Sequence, residues 1–311
     1  MSQLKAQIDK ILSNVSSKYN PKGMICEQFL PMIQVPQNTG LLAGYGDSHL
    51  RIENSLKGGK SKYRRVETVS YTTQTYLIRG HGLEALVTKE DKRNYDDPFD
   101  AEKDETTGLT TSLYLEKEKV LADAVTSTSI MTQNETLVGN AQFSDYTNSD
   151  PIAKFQAAFA AIRSGCGAIA DTAAMDYDVF QQLRYHPQLL DALGYKFDRP
   201  GGLGADELAK ALGLRRILVA DVMYNSAKEG QTSVKSPVWG KHIVLAVLPE
   251  KAEKEQISLG YRMQIYGSQP RKVYKWTENN PPESTAILVE DEYEHLISNA
   301  SAGYLFKNAI A

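Results

Sequence analysis

A chain of 311 residues is longer than the roughly 100 to 200 of a usual single domain, so two lobes are expected rather than one compact core. A hydrophobic share of 41%, a charged share of 23% and a net charge of -3 exclude wholesale disorder, and 35 Lys and Arg against 38 Asp and Glu leave no global basic footprint for nucleic acid. Two cysteines, Cys26 and Cys166, build neither a disulfide framework nor a metal-binding set, and reduced thiols in a cytoplasm are the reading that fits.

At the start of the chain Leu4, Ile8, Leu12 and Val15 fall on one side of a helix, without the apolar run of a signal peptide or a membrane span. Residues 20–62 mix prolines, glycines and short apolar patches with no sustained period. They read as an arm that ends in a flexible basic turn, SLKGGKSK. Residues 63–78 are rich in Val, Thr and Tyr and read as a strand without a deep core, paired in a hairpin whose second strand the sequence does not fix.

Residues 96–125 read as one long helix. Asp97 stands at the cap and Pro98 at the first helical position, and thirty residues would span about 45 Å. Leu109, Leu113, Val120 and Ala124 make a thin apolar stripe; Glu116, Lys117, Glu118 and Lys119 are expected on the wet side, with a weak point at Thr106 to Gly108.

From 150 to 250 the texture becomes regular α/β alternation. Asp150 and Pro151 open a helix with Ile152, Phe155, Phe159 and Ile162 on one face and Gly165 as its stop. A small-residue strand follows, then helices capped at Asp176 and closed at Gly213, and two buried strands in RRILVADVMY and HIVLAVLP. After 255 the chain is β-like, in SLGYRMQIYG, RKVYKWTE and TAILVEDEYEHLI, and is expected to form a sheet beside the long helix.

Signatures of catalysis are weak. GGKS at 58–61 lacks the glycine that a phosphate-binding loop needs five residues earlier, where Asn54 stands, and PGGLG at 200–204 has no strand before it. None of the five histidines lies in a diagnostic pattern, and Cys166 between helix and strand reads as a small buried hydrophobe. Asp176 with Asp178, and Glu290 to Glu292, lack the rest of a cation loop and read as a cap and a solvated turn. No catalytic residue, cofactor or metal ligand is assigned. What is left is an arm, a polar extended segment, a long half-wet helix and an α/β lobe, and ordering arms costs roughly 1 to 2 kcal/mol per residue unless other subunits complete them.

Residues 136–194, followed by ELAKALGLRRILVADVMYNSA and SPVWGKHIVLAVLP, carry a resemblance to tailed-bacteriophage major capsid proteins of the Hong Kong 97 type. The matching cues are Ser149 to Ile152, the helix from Leu183 to Pro187, Tyr224 with Asn225, and Trp239 with Gly240. The resemblance implies an α+β capsid fold with an N-terminal arm (1–44), an extended β-hairpin loop (45–80), a peripheral lobe with the spine helix (81–144), an axial α/β lobe (145–250), and peripheral strands with the C-terminus (251–311). It implies a structural shell protein assembling as hexamers and pentamers around double-stranded DNA, in a virion assembled in the host cytoplasm. DNA contacts would carry no sequence specificity, no membrane is involved, and there is room for portal or decoration proteins. The chain starts close to its arm, so a separate scaffolding protein, or none, is expected. No covalent cross-link is expected either. Lys60, Arg64, Arg65, Tyr71 and Tyr76 are the candidate inter-subunit contacts. Two other readings compete: an encapsulin-like nanocompartment shell of the same fold, and a small α/β enzyme using Cys166.

Overall fold

The computed structural model describes residues 7–45, 52, 55–57, 62–63, 65, 71–95, 97–194, 201–228, 230–250, 256–278 and 284–311. A two-residue strand, β1 (Gln7–Ile8), precedes helix α1 (Lys10–Lys18). The helix begins later than the apolar spacing suggests, because the Asp9 carboxylate accepts from the N–H groups of Ile11 (2.9 Å) and Leu12 (3.0 Å) and fixes the start there. Ile8 is therefore in a strand, and Leu4 lies outside the described residues.

The stretch read as an arm contributes to the interior. Helix α2 (Cys26–Phe29) places Cys26 and Phe29, with flanking Ile25 and Leu30, in the main core, because each can bury its side chain against the α/β lobe. Strand β2 (Met32–Val35) and the antiparallel pair β3 (Thr39–Tyr45) and β4 (Tyr71–Leu77) follow, so the second hairpin strand is the stretch before the basic turn. Strand β5 (Arg79–Thr88) leads to α3 (Lys89–Arg93).

Helix α4 (Pro98–Val125) runs unbroken through Gly108. The hydroxyls of Thr106 and Thr110 donate to the carbonyls of Glu102 and Thr106, each at 2.7 Å, so these threonines are buried without an unpaired donor. Its buried stripe differs from the expected one. It runs through Ala101, Glu102, Thr106, Thr110, Leu113, Tyr114, Lys117, Glu118, Leu121, Ala122 and Val125, whereas Val120 is 45% exposed and Lys117 only 4%.

Strand β6 (Asn134–Thr136), helix α5 (Pro151–Cys166), strand β7 (Thr172–Asp176), helices α6 (Tyr177–Arg184), α7 (Pro187–Ala192) and α8 (Ala205–Leu212), strand β8 (Arg216–Ala220), the hairpin of β9 (Met223–Asn225) with β10 (Lys235–Pro237), and β11 (Ile243–Ala246) make the α/β lobe. Helix α5 stops at Gly167 (φ 77°), two residues after the expected Gly165. The last strands are β12 (Gly260–Ile265), β13 (Lys272–Glu278), β14 (Ser284–Ile297) and β15 (Gly303–Lys307).

Two sheets organise the molecule. One has the order β6-β15-β11-β7-β8, with β7 and β11 buried along their whole lengths. Its β15 comes from the C-terminal stretch expected among the peripheral strands: the apolar run Leu305 and Phe306 pairs with β11 and fills the lobe's core. The other sheet has the order β1-β13-β14-β12-β2, with β5 on the far edge of β14. One face of it, Val87, Val273, Ile287 and Val289, packs with Leu12 against Ala101 and Leu113 of α4. Among the described residues no helix is long and apolar enough to cross a membrane.

Candidate inter-subunit surface and the ionic joint behind it

The β3–β4 hairpin packs on the larger sheet. At its base, Leu42 and Tyr76, with Ile78 just beyond β4, pack on Ile33, Val35, Tyr261 and Met263, forming a small core of their own. Gly40 is required there, since a Cβ at that position would come within 2.6 Å of the Tyr76 hydroxyl. Tyr76 therefore belongs to the subunit interior and is not a surface contact, a correction that follows from its alternation with the exposed Thr75 and Leu77 along β4. Tyr71 opens β4 opposite Tyr45, and its side chain lies outside what is described; Lys60 and Arg64 also lie outside the described residues. Arg65 is exposed. Beyond the base, Ile52 (98% exposed), Leu56 and Tyr63 leave large apolar surfaces in water, with the Lys57 ammonium 4.5 Å from the centre of the Tyr63 ring.

Behind the hairpin base, charged side chains join helix, sheet and arm. Lys117 of α4 points into the sheet, where its ammonium meets Asp291 at 3.0 Å and Glu27 at 3.5 Å and lies over the Tyr293 ring at 4.5 Å. Glu27 also receives Arg262 (3.0 Å) and Arg271 (3.3 Å), so one carboxylate serves three cations. Arg271, in a left-handed backbone conformation (φ 55°), reaches back to the Ser17 carbonyl at 2.6 Å and to the Tyr114 hydroxyl. One turn away, Glu118 accepts from the Cys26 N–H (2.7 Å) and the Trp239 indole N–H (2.6 Å), tying α4 to α2 and to the α/β lobe. Glu102 holds the outer end of the helix through Lys92 (2.7 Å) and Lys275 (2.5 Å).

These contacts set the protonation states. Burial alone would raise the Asp291 carboxyl, but Lys117 and Arg271 hold it below the ordinary range. His295 is pushed down to about 3 by burial and by the Lys117 and Arg262 charges, and both its ring nitrogens are enclosed without a hydrogen-bond partner. Composition gave no hint of this joint, since Lys117 and Glu118 look like half of a solvated charge run. The available signal was their spacing, three and four residues from Leu113 and Tyr114 on one side and from Leu121 and Ala122 on the other.

Among the described residues, none of the groups considered as nucleophiles is activated. Burial and the neighbouring Glu118 push the Cys26 thiol up, the opposite of activation, and Cys166 is buried at the end of α5. Ser149 and His186 are 3.0 Å apart, but the serine hydroxyl donates to the Asp145 carbonyl, so it accepts from the ring instead of delivering a proton to it. Asp176, pushed up to about 6 by burial, accepts from the Asp178 N–H as a helix cap. Among the described residues no group of three or more His, Cys, Asp or Glu is placed to hold a metal ion.

Searched against family models, the chain matches none. It is 24% identical over 313 residues, 96% of this chain and 95% of the relative, to the major capsid protein of Burkholderia phage BcepMu. The crystal structure of a phage-related protein from Bordetella bronchiseptica RB50 superposes with a TM-score of 0.75 at 23% identity, covering 98% of each chain. The capsid structure of Cyanophage P-SCSP1u superposes with a TM-score of 0.60 at 11% identity, covering 93% of this chain and 89% of that one. The mixed α and β architecture is thus shared with solved phage capsids.

Proposed function

We infer that this chain, a homologue of phage major capsid proteins along nearly its whole length, is the repeating structural subunit of a phage head. It acts by assembling, not by catalysis. One observation carries the inference beyond homology: in a chain with closed cores, the large apolar side chains of Ile52, Leu56 and Tyr63, between β3 and β4, are exposed to water. A monomer gains nothing from that surface, whereas a neighbouring copy would bury it.

In the finer reading the fold is of the Hong Kong 97 type. The six-stranded sheet with α4 as its spine would be the peripheral lobe, and the five-stranded sheet with α5 to α8 the axial lobe, grouped as hexamers and pentamers. Lys60, Arg64, Arg65 and Tyr71 would face the neighbour, where a rigid guanidinium fork suits carboxylates. Double-stranded DNA inside would be touched weakly and without sequence preference, and assembly would take place in the host cytoplasm, with room for scaffolding, portal or decoration proteins as partners. A nanocompartment shell is the weaker alternative, since the curated relative is a phage protein. Electron microscopy and sedimentation of the purified protein test the reading. Rings or closed shells are expected, and only monomer at high concentration across a range of salt would count against it.

A further inference from the structure

Strand β2 is outermost in its sheet, and among the described residues no strand pairs with its other edge. Parallel pairing with β12 uses alternate residues: the carbonyls of Pro31 and Val35 accept from the N–H groups of Arg262 (2.9 Å) and Tyr266 (2.8 Å). The N–H and C=O groups of Met32 and Gln34 therefore point away from β12, and no described residue bonds to them. Met32 also lines a cleft of ≈ 590 Å³, whose walls carry apolar Leu30 and Pro249, the cations Arg215, Arg216 and Arg262, and the carboxylates Glu27 and Glu250.

The three guanidiniums are not equally neutralised. Arg215 pairs with Asp171 (2.9 Å) and Glu250 (3.0 Å). Among the described residues Arg216 donates to the Gln28 carbonyl (3.0 Å) and the Thr172 hydroxyl (3.3 Å), and no described carboxylate lies within salt-bridge distance of it. Arg262 shares Glu27 with two other cations, and its Nε is buried without a partner.

We propose that this edge and cleft form a docking site for an extended acidic peptide of a separate polypeptide, which adds to β2 as a strand through Met32 and Gln34 while its carboxylates meet Arg216 and Arg262. Strand addition supplies backbone bonds, and alternate side chains supply selectivity. Guanidinium forks match carboxylates, and the apolar side chains Leu30 and Pro249 of the lining can accept residues between them. A second copy of this chain is a poor occupant through residues 46–70, which carry six Lys and Arg against three Asp and Glu. Nucleic acid would meet the arginines but has no strand edge to pair with Met32 and Gln34.

The test is fluorescence anisotropy of a short labelled peptide alternating valine and glutamate, titrated with the full-length protein at low salt. Saturable binding is expected, with none for the counterpart in which lysine replaces glutamate. Arg216→Gln should weaken it about tenfold, the loss expected for a charge-assisted bond. Methylating alternate backbone nitrogens of the peptide should abolish it, an arm that does not depend on any variant folding, and the Gln34 amide should exchange more slowly when the peptide is bound. The proposal is overturned if the glutamate peptide does not bind, if the methylated peptide binds equally well, or if Arg216→Gln changes nothing. Displacement of the peptide by a short oligonucleotide would reassign the cleft to phosphate. Failure here leaves the shell reading standing, because particle formation tests that separately.

Discussion

Lys117 shows how a single side chain can reverse the meaning of a helix. A lysine enclosed to 4% exposure is tolerable only because Asp291 and Glu27 satisfy it and the Tyr293 ring faces its charge. Lys117→Met would leave Asp291 buried without its main partner, and a loss of about 3 to 5 kcal/mol in denaturant unfolding is expected. A loss under about 1 kcal/mol, as for a surface pair, would mean that the joint is hydrated. His295 gives a signed pH effect. Its folded pKa, about 3, lies below the ordinary value of about 6.5, so the unfolded chain takes up the proton first. Stability from this group is complete above about pH 6.5 and falls as pH drops toward 3, by at most ~1.4 kcal/mol per unit. Asp291 is held low, so its contribution is lost only in stronger acid, below about pH 4. His186 and His242, also lowered by burial, slope the same way as His295, so the informative quantity is the difference between variant and parent. His295→Leu should flatten Tm against pH between 6.5 and 4.5; an unchanged slope would show that the ring is protonated in the fold.

Among the elements, α4 separates what spacing can reveal from what it cannot. Leu113 is buried against the sheet, and Leu113→Ala should cost about 2 to 5 kcal/mol, whereas Val120→Ala should stay within about 0.5 kcal/mol because the side chain faces water. Equal losses at both positions would place the stripe where apolar spacing alone put it. The helix itself was legible, from Asp97 and Pro98 at its start to its length, because caps and period are local properties. Its buried face was not, because Thr106, Thr110, Lys117 and Glu118 carry polar groups satisfied by residues 90 or more positions away or by the helix's own carbonyls. The same limit explains α2. Ile25, Cys26 and Phe29 have too short a pattern to announce a core element, and only the Glu118 carboxylate, accepting their leading N–H groups, explains why they turn inward. The α/β lobe was read more closely, since Asp150, Asp176 and Gly213 cap its helices within a few residues of each core position. Of the candidate contacts, Arg65 is exposed, but Tyr76 is enclosed by a glycine on the partner strand, a cross-strand relation that no single strand displays.

At the scale of the whole molecule, the base of the β3–β4 hairpin belongs to the subunit's own packing. Leu42, Tyr76 and Ile78 close a core over β2 and β12, so removing the whole segment through residue 78 would damage the subunit as well as its contacts. Residues 46–70 are the separable part, joining Tyr45 to Tyr71 at the end of the register. The described pairing ends at Tyr45 and Tyr71, and Ile52, Leu56 and Tyr63 between them are exposed, so burying them takes a surface other than this base. Replacing 46–70 by a short Gly-Ser turn should therefore leave the thermal unfolding of the subunit within a few degrees of the parent while abolishing closed particles in negative-stain images and in sedimentation. Exposed ion pairs are each worth only about 0 to 1 kcal/mol, so if Arg65 meets a neighbouring subunit as proposed, a single substitution there should weaken assembly gradually, visible as a raised critical concentration. Normal particles from the shortened chain would put the contacts that hold a shell elsewhere, whereas a large fall in subunit Tm would mean that residues 46–70 fold back on their own lobe.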